Sequence, residues 1–246
     1  MGENTLHFVI SGYNQEKYIG NTFARLKKVI NETNLKDYKI YISNDGSKDN
    51  TREEILKIIE TDNEVEFFDF KKNIGLNKTI EFFLSKNLKG KFTHIPGDDD
   101  LDEIFLRNLI LNSFKADFVS GFFINKEFRS AFRNILSSIY NTSMCFLFGV
   151  YVNYLQGPGV WPIEKVNDIK IHTKQICFWT ELNIKLLRSE ITYTETYGYM
   201  NRPVTASTSL NISSFIEIFK VLRILIKDVY FGKKYKNKAK RLIIDN

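Results

Sequence analysis

The segment KFTHIPGDDDLDEIFLRNLILNS, residues 91–113, decides the fold because it contains the repeating unit of the first half of the chain. A short apolar run is followed by a Pro-Gly turn and an acidic loop, and apolar residues at helical spacing come next. The same order of strand and helix recurs from residue 6 to residue 123. This alternation predicts an α/β domain with a mostly parallel central sheet and helices on both of its faces.

The apolar periodicity places the individual elements. We expect strands at 6–11, 38–43, 64–70, 91–95 and 117–123, and helices at 19–30, 51–59, 76–85 and 102–113. Thr51 and Glu54 have the spacing of a capping box for the second helix.

Ligands of parallel sheets bind beyond the carboxyl ends of the strands. Three polar loops stand at such ends: SGYN (11–14), NDGSKDN (44–50) and GDDDLD (97–102). The sequence therefore predicts that these loops converge on one crevice.

The regular alternation stops near Asn125. An aromatic, apolar stretch runs to residue 162, and a helical segment at 178–188 and a strand-like segment at 190–200 follow it. Residues 212–231 have the pattern of a long amphipathic helix, and a basic tail completes the sequence. We therefore expect a first part at 1–125, a second part of the same domain at 126–211, and a third part at 212–246.

The bulk composition excludes several classes of protein. With 246 residues, 43% of them hydrophobic, the chain is long enough for one large folded domain. Its two cysteines suggest neither a disulfide framework nor a thiolate metal site. The first residues lack the pattern of a signal peptide, which indicates a cytosol-like compartment. No apolar run is long enough to span a bilayer, and no RNA-binding signature accompanies the net charge of +6, so no nucleic-acid partner is expected.

The acidic loop is the strongest candidate for a metal site. Asp98, Asp100 and Asp102 alternate after a strand, so two or three carboxylates can face one cation. Hard oxygen ligands of this kind suit Mg²⁺ or Mn²⁺. The alternative is a solvated turn whose acids cap the next helix.

Four motifs in order give the loop its context. They are SGYN (11–14), NDGSKDNT (44–51), NIG (73–75) and PGDDDLD (96–102). Their order and spacing resemble the family 2 glycosyltransferases of the GT-A fold, over roughly residues 5–125. That family has Tyr-Asn after the first strand, D-D-G-S-x-D-x-T after the second, N-x-G after the third and D-x-D after the fourth. Asn44 departs from the pattern, because an Asp is usual there.

The resemblance implies roles for matching residues. The donor nucleotide site would comprise Ser11, Tyr13, Asp45, Asn73, Gly75 and Asp98. Asp98 and Asp100 would bind the metal and the sugar-nucleotide diphosphate, with Asp100 in the catalytic group. From the residues alone, Tyr13 is equally a packing aromatic, and Asp45 is equally an Asx turn with Gly46.

A narrower resemblance concerns the acceptor. The run DDDLD (98–102) looks like the D-A-D-L-Q of polyprenyl-phosphate sugar synthases, the dolichyl-phosphate mannose synthase branch, which would add Asp102 to the metal ligands. Arg133-x-x-x-Ser137 is similar to the acceptor-phosphate segment of that branch. The segment from Arg202 to Ser207 resembles its R-x-x-G-x-S loop, although Thr205 replaces the Gly.

Glu181 helps to distinguish a phosphate acceptor from a sugar hydroxyl acceptor. Many polysaccharide-making relatives have Glu-Asp on the helix after the donor site, where the Asp acts as general base for a sugar hydroxyl. Here the pair is Glu181-Leu182, which favours an acceptor that is already anionic and is docked by Arg133 and Arg202. Glu181 stays open as the base itself. Without the resemblance, all three would be ordinary surface charges.

The C-terminal segment adds a membrane hypothesis. Glu217, Lys220, Arg223 and Lys227 form one polar stripe on an otherwise apolar helix, and lysines follow it. Such a helix suits the surface of an anionic membrane, or else packs on its own domain or on a second copy in a homo-oligomer.

Together these observations predict an inverting, metal-dependent glycosyltransferase. It would move a sugar from a nucleotide-diphosphate sugar to a polyprenyl phosphate, as a peripheral protein on the cytoplasmic, inner face of the cell membrane. In this scheme 1–125 is the nucleotide-sugar-binding half, 126–211 the acceptor-binding half and 212–246 the membrane-associated helix and tail. Two alternatives stay open: transfer to a glycan hydroxyl in capsule or O-antigen assembly, and a catalytically inactive sugar-nucleotide-binding module.

Overall fold

The computed structural model of the protein describes residues 4–173, 177–203 and 212–243, of which 212–215 are described by backbone alone. The described strands are β1 (Leu6–Gly12), β2 (Tyr38–Asp45), β3 (Val65–Phe70), β4 (Lys91–Pro96), β5 (Phe118–Phe123), β6 (Gly159–Pro162), β7 (Thr192–Gly198) and β8 (Lys240–Arg241). The described helices are α1 (Ile19–Glu32), α2 (Thr51–Thr61), α3 (Leu76–Leu84), α4 (Glu103–Asn112), α5 (Ala131–Phe148), α6 (Ile163–Asn167), α7 (Phe178–Leu187) and α8 (Ile212–Ile226). A 3₁₀ turn at Lys126–Phe128 precedes α5, and a π-helical turn at Lys227–Phe231 follows α8.

The strands form one sheet in the order β3-β2-β1-β4-β6-β5-β7-β8. Only β6 runs antiparallel to its neighbours, β4 and β5, among the described strands. The prediction of a mostly parallel α/β sheet is therefore confirmed. None of the helices in the described ranges combines the length and the hydropathy needed to cross a membrane.

Alternation along β1 explains why helices cover both faces. Phe8 and Ile10 point into a core that includes residues of α1, α2 and α4. Val9 points the opposite way, into a second core that includes residues of α3, α5, α7 and α8. Both faces of the central strand are thus apolar, as expected for a buried parallel strand.

Four of the described elements were not predicted: α5, β6, and the short α6 and β8. The periodicity of α5 is hidden because large apolar residues lie on its exposed side as well as its buried side. β6 is only four residues long and ends in a proline, and such a run carries little strand signal. The predicted capping box is also wrong. Thr51 lies inside α2, where its hydroxyl donates to Asp49, and Glu54 pairs with Lys57.

A buried ionic cluster joins α7 to the turn after α8. The Nζ of Lys185 lies 2.7 Å from Glu181 Oε1 and 2.8 Å from Asp228 Oδ2, and it also donates to the Lys170 carbonyl. Glu181 is 0% exposed and Lys185 is 1% exposed. Burial alone would raise the pKa of Glu181, but the bonds from Lys185 and its other donors outweigh burial and lower the pKa. Each charge depends on the other, because neither has access to water.

Replacing Lys185 by Met should therefore destabilise the fold strongly. We expect the free energy of unfolding to fall by about 3–5 kcal/mol, because Glu181 would stay buried without its cation. The folded pKa of Glu181 lies below its ordinary 4.5, so its contribution to stability is present above that pH and is lost as the pH falls through the folded pKa. Without Lys185, burial raises the folded pKa of Glu181, so the stability deficit of the variant should be largest above that pKa and should shrink as acidification protonates Glu181. Urea denaturation at several pH values measures both effects.

Lys227→Met is the matched control, since Lys227 is an exposed lysine of the same π-helical turn. Its effect should stay within about 0.5 kcal/mol. Equal stability of the two variants would contradict a supporting role for the buried cluster.

Candidate active site

The loops after β1 and β2 are tied together by side-chain bonds. Asn14 N donates to Ser47 Oγ at 3.0 Å, and Lys48 N donates to Asn14 Oδ1 at 2.9 Å. Gln15 N donates to Thr51 Oγ1 at 2.6 Å. These bonds bring two of the predicted polar loops to one edge of the sheet.

Asp45 fastens the third strand's loop to the same edge. Its two oxygens accept from the backbone N–H groups of Ile74 at 2.7 Å and Gly75 at 3.0 Å. Gly46 has φ +64, and a side chain there would reach within 2.4 Å of the Lys72 carbonyl carbon. The site thus needs glycine at this position. The structure places Asp45, Asn73 and Gly75 together, and it shows that the Asp45 carboxylate organises the loop.

Ser11 connects β1 to the acidic loop. Its hydroxyl lies 2.7 Å from His94 Nε2, and its carbonyl accepts from Gly97 N at 2.8 Å. Burial lowers the pKa of His94 to about 3, so the imidazole is neutral. Tyr13 is 40% exposed at the rim of the site. The predicted donor residues therefore lie at the same sheet edge as the aspartates.

Asp99 points away from the other aspartates of the loop. It has φ +59, and its carboxylate receives two bonds of 3.0 Å from the Arg25 guanidinium. Asp99 N donates to Thr22 Oγ1, and the Asn201 amide donates to Asp99 Oδ2. Asp99 therefore anchors the acidic loop to α1, a role that the sequence analysis did not assign.

Asp98 and Asp100 are half-buried in this loop. Oδ1 of Asp98 is buried and has no hydrogen-bond partner among the described residues. Burial raises the pKa of Asp98, with the charge of Arg202 opposing the rise. Burial and the charge of Asp98 raise the pKa of Asp100 to about 6. Burial withholds solvent stabilisation from both carboxylates, and a divalent cation would add to the positive charge beside them.

Three arginines lie around these carboxylates. Arg202 Nε donates to the Asp98 carbonyl at 2.7 Å, and its guanidinium lies 4.0 Å from the centre of the Tyr18 ring. The charges of Arg129, Arg202 and Arg133 each counteract the rise in the pKa of Asp100. Burial, together with the charge of Arg129, lowers the pKa of Arg133. Predicted residues Arg133 and Arg202 are thus brought to the aspartates.

Arg129 is a site residue that the sequence analysis missed. Its guanidinium lies 5.5 Å from the centre of the Phe123 ring and 5.8 Å from that of Tyr154, and it donates to the Tyr154 hydroxyl. Its Nε is buried and without a partner within the described part of the chain. The available signal was its position four residues before Arg133 in the sequence.

Comparison with known proteins supports the resemblance for part of the chain. Residues 8–103, less than half of the 246 residues, match the model of glycosyl transferase family 2. An uncharacterised glycosyltransferase of Bacillus subtilis, YkcC, is 37% identical over 67 residues. That match covers 27% of this chain and 20% of the relative, so the chain aligns with only a fifth of that protein's length.

Solved glycosyltransferases share the whole fold. The S. aureus TarS 1-349 complex with UDP-GlcNAc has a TM-score of 0.64 at 14% identity, covering 92% of this chain and 66% of that one. Glucosyl-3-phosphoglycerate synthase from Mycobacterium tuberculosis, in complex with Mg²⁺ and UDP, has a TM-score of 0.62 at 11% identity. This match covers 89% of the present chain and 78% of the synthase chain. The architecture is the GT-A fold.

Asp102 has a structural role. Its Oδ1 accepts from Phe105 N at 2.7 Å and from Tyr199 N at 3.1 Å. It is the N-cap of α4, as the alternative interpretation of the acidic loop expected, and it holds the chain at the end of β7. These contacts occupy one of its two oxygens, and its place among the metal ligands stays a prediction.

Glu181 is enclosed in the protein, in contrast to its predicted role as a general base. Both of its oxygens are taken by His172, Thr173 and Lys185, and no part of the side chain is exposed. A carboxylate in this position has no contact with a substrate, so the geometry argues against Glu181 as the base. His172, Glu181 and Asp228 place their ligand atoms within 4.8 Å of one another, but the Lys185 ammonium already bridges Glu181 and Asp228.

The residues of the acidic loop fit a divalent cation. Oδ1 of Asp98 is buried and free, and the raised pKa of Asp100 shows that its charge is under-compensated. Carboxylate oxygens are the donors that Mg²⁺ and Mn²⁺ prefer.

A cavity of about 740 Å³ adjoins these side chains. Arg129, Ser137 and Met200 line it, together with apolar side chains of β5 and of the segment after α5. Ser137 therefore lies where the acceptor segment was predicted. Ser207, the other predicted acceptor residue, lies outside the described residues.

The anchoring role of Asp99 can be tested by Asp99→Asn. Asn tolerates the positive φ, so the change removes charge without adding backbone strain. We expect a loss of about 1.5–3 kcal/mol in unfolding free energy, because the bonds from Arg25 lose their anionic partner. Chemical denaturation measures this loss. The control Asp62→Asn breaks the more exposed pair with Lys27 and should cost less than about 1 kcal/mol.

Donor-analogue binding should weaken along with stability in Asp99→Asn, because the loop that holds Asp98 and Asp100 is released. Full stability with full binding would contradict the anchoring role.

Proposed function

We propose that the protein is an inverting, metal-dependent glycosyltransferase that uses a nucleotide-diphosphate sugar. The observation that carries the proposal is the unpartnered Asp98 Oδ1 beside Asp100, in the loop where the family 2 match ends. The convergence of the 11–14, 44–51 and 73–75 loops at the same edge supports a donor site there.

Asp98 and Asp100 would hold Mg²⁺ or Mn²⁺. The bound cation supplies Lewis-acid stabilisation of the negative charge that develops on the leaving diphosphate. Arg202, fixed by Asp98 and Tyr18, is placed to bind an anionic group of the substrates. The other donor contacts would come from Ser11, Tyr13 and the loop that Asp45 organises at Asn73 and Gly75.

The acceptor that we favour is a polyprenyl phosphate. Arg129 lines the cavity, and its charge and that of Arg133 both act on Asp100, so an anionic acceptor head would be drawn to this place. A phosphate oxygen is already a nucleophile and needs no general base, which agrees with the sequestration of Glu181. Ser137 and Ser207 would complete the acceptor site. The division into a donor half at 1–125, an acceptor half at 126–211 and a membrane-associated part at 212–246 belongs to this proposal.

Such an acceptor places the protein on the inner face of the cell membrane, as a peripheral protein. Transfer to a neutral glycan hydroxyl would instead require a base, and Asp100 is the half-buried carboxylate whose pKa, about 6, suits that task.

Metal-dependent donor turnover tests the proposal. Wild type and Asp100→Asn are compared in hydrolysis of a panel of nucleotide sugars with Mn²⁺. We expect the hydrolysis rate of the variant to be lower by a factor of about 10²–10³, because charge stabilisation at the leaving group is removed. Glu103→Gln, a change to the next acid after the loop, should leave the rate unchanged, since Glu103 pairs with Lys28 at the surface.

Equal rates in wild type and Asp100→Asn would overturn the metal assignment. No turnover of any donor by the wild type, with donor binding intact, would favour the sugar-nucleotide-binding module.

The acceptor site is tested by Arg129→Gln. With a short-chain polyprenyl phosphate as acceptor, we expect the ratio of transfer to donor hydrolysis to fall by about tenfold or more, because a charged hydrogen bond to the acceptor is lost. Arg107→Gln, at an exposed arginine of α4, serves as control. An unchanged ratio in Arg129→Gln, or transfer to neutral glycans alone, would contradict the anionic acceptor.

A further inference from the structure

The outer side of α5 is apolar along its whole length. Phe132, Ile135, Ile139 and Phe146 are 65%, 58%, 59% and 85% exposed. Their spacing of three, four and seven residues puts them on one face of the helix. Four large side chains on one exposed face are unusual for a surface that meets only water.

The apolar surface continues beyond the end of α5. The Tyr230 hydroxyl donates to the Leu147 carbonyl, and the rings of Phe148 and Tyr230 lie 6.2 Å apart, so the π-helical turn packs beside α5. Tyr151 is 70% exposed and Phe231 is 81% exposed. We define the α5 surface as these exposed side chains: Phe132, Ile135, Ile139, Phe146, Leu147, Tyr151, Tyr230 and Phe231.

The chain segments that carry the α5 surface are mostly basic, although Arg241 pairs with Glu195 at 2.7 Å. The sequence between Glu127 and Glu164 contains no acidic residue, and residues 227–241 contain seven basic residues and one acid. That acid, Asp228, pairs with Lys185. A side chain at Gly149 would lie 3.7 Å from Lys238 Nζ and 3.8 Å from Arg188 Nη1, so cations border the end of α5. Arg241 lies 5.7 Å from the centre of the Tyr151 ring.

The cavity beside the active site shares residues with this surface. Phe146 and Tyr151 line it at one side, and Arg129 lines it nearer to Asp100. Whatever covers the α5 surface therefore also covers an approach to the candidate acceptor site.

We propose that the α5 surface docks on an anionic lipid bilayer. An apolar, aromatic helix face bordered by lysine and arginine is the pattern of an in-plane interfacial helix, with its rings among the acyl chains and its cations at the head groups. A second copy of the chain on this surface would bring two basic borders together, which opposes self-association. The proposal deepens the proposed function, on whose lipid-linked acceptor it rests, by assigning the membrane contact to the α5 surface; vesicle binding can be measured without donor or metal.

The sequence analysis predicted that the helix at 212–231 contacts the membrane, whereas the proposal assigns this contact to the α5 surface. Val221 and Leu225 of α8 are fully buried against the domain, so deleting α8 would expose the core. Substitutions of exposed residues in the full-length chain are the appropriate test.

Cosedimentation of the full chain with vesicles tests the docking. The wild type should bind vesicles of phosphatidylcholine with phosphatidylglycerol, bind phosphatidylcholine alone more weakly, and lose binding to the anionic vesicles as salt rises. Phe146→Ser with Phe231→Ser should lower the partition coefficient by about tenfold, because two rings leave the interface. Leu111→Ser, at a 52% exposed position of α4, is the matched control and should bind like the wild type.

Thermal unfolding checks that the double variant is folded. If it is not, Ile135→Ser with Ile139→Ser replaces it, with the same expected loss. The proposal is overturned if the wild type fails to bind anionic vesicles, or if folded variants bind as well as the wild type. It is also overturned if the substitutions only convert a lipid-free dimer to a monomer, which would make the α5 surface a contact between copies.

Discussion

The ion pair between Asp99 and Arg25 is the constraint on which the candidate site depends. One residue of an acidic run is turned backwards, in a left-handed conformation, and fixed to α1 by a two-bond guanidinium contact and by Thr22. Its neighbour Asp98 has a long contact of 3.9 Å with the Arg202 guanidinium, and within the described residues its Oδ1 has no hydrogen-bond partner. Burial and the charge of Asp98 raise the pKa of Asp100, although three arginines oppose the rise. A bound cation would stabilise both carboxylates further.

The other acidic residues of the region have different roles, which depend on the hydrogen-bond donors around each carboxylate. Asp102 caps α4 and clamps the end of β7, Asp45 fixes the loop after β3, and Glu181 is enclosed with Lys185. Each carboxylate whose oxygens are saturated by protein donors supports the fold. Asp98 and Asp100 keep unsatisfied charge, and unsatisfied charge in a cleft is the property expected of a reactive centre.

Much of the fold could be predicted because β1 to β5 obey simple periodicity. The alternation of buried residues in β1 and the turn motifs after each strand are local features, and the order of the motifs agrees with the family model that matches residues 8–103. The second half was harder to predict, because α5 is apolar on a side that faces outward and β6 pairs with strands far away in sequence. The roles of Asp99, Asp102 and Glu181 depend on partners 70 or more residues away, or on burial that no local pattern reveals.

The two halves of the molecule share one sheet, in which β6 pairs with β4 and β5, and β7 pairs with β5. Arg202 reaches Asp98 from the segment after β7, and Lys185 connects α7 to the turn that carries Tyr230 and Phe231. The acidic loop and the α5 surface therefore both depend on strands and helices of the second half.

The most direct measurement is a crystal structure with Mn²⁺ and a nucleoside diphosphate, with the metal located by its anomalous signal. The account predicts one strong peak in contact with Asp98 Oδ1 and an oxygen of Asp100, bridging to the diphosphate beside the loop that Asp45 holds. A diphosphate bound elsewhere would contradict the central claim. So would a metal at the cluster of His172, Glu181 and Asp228, with Asp98 and Asp100 left unliganded.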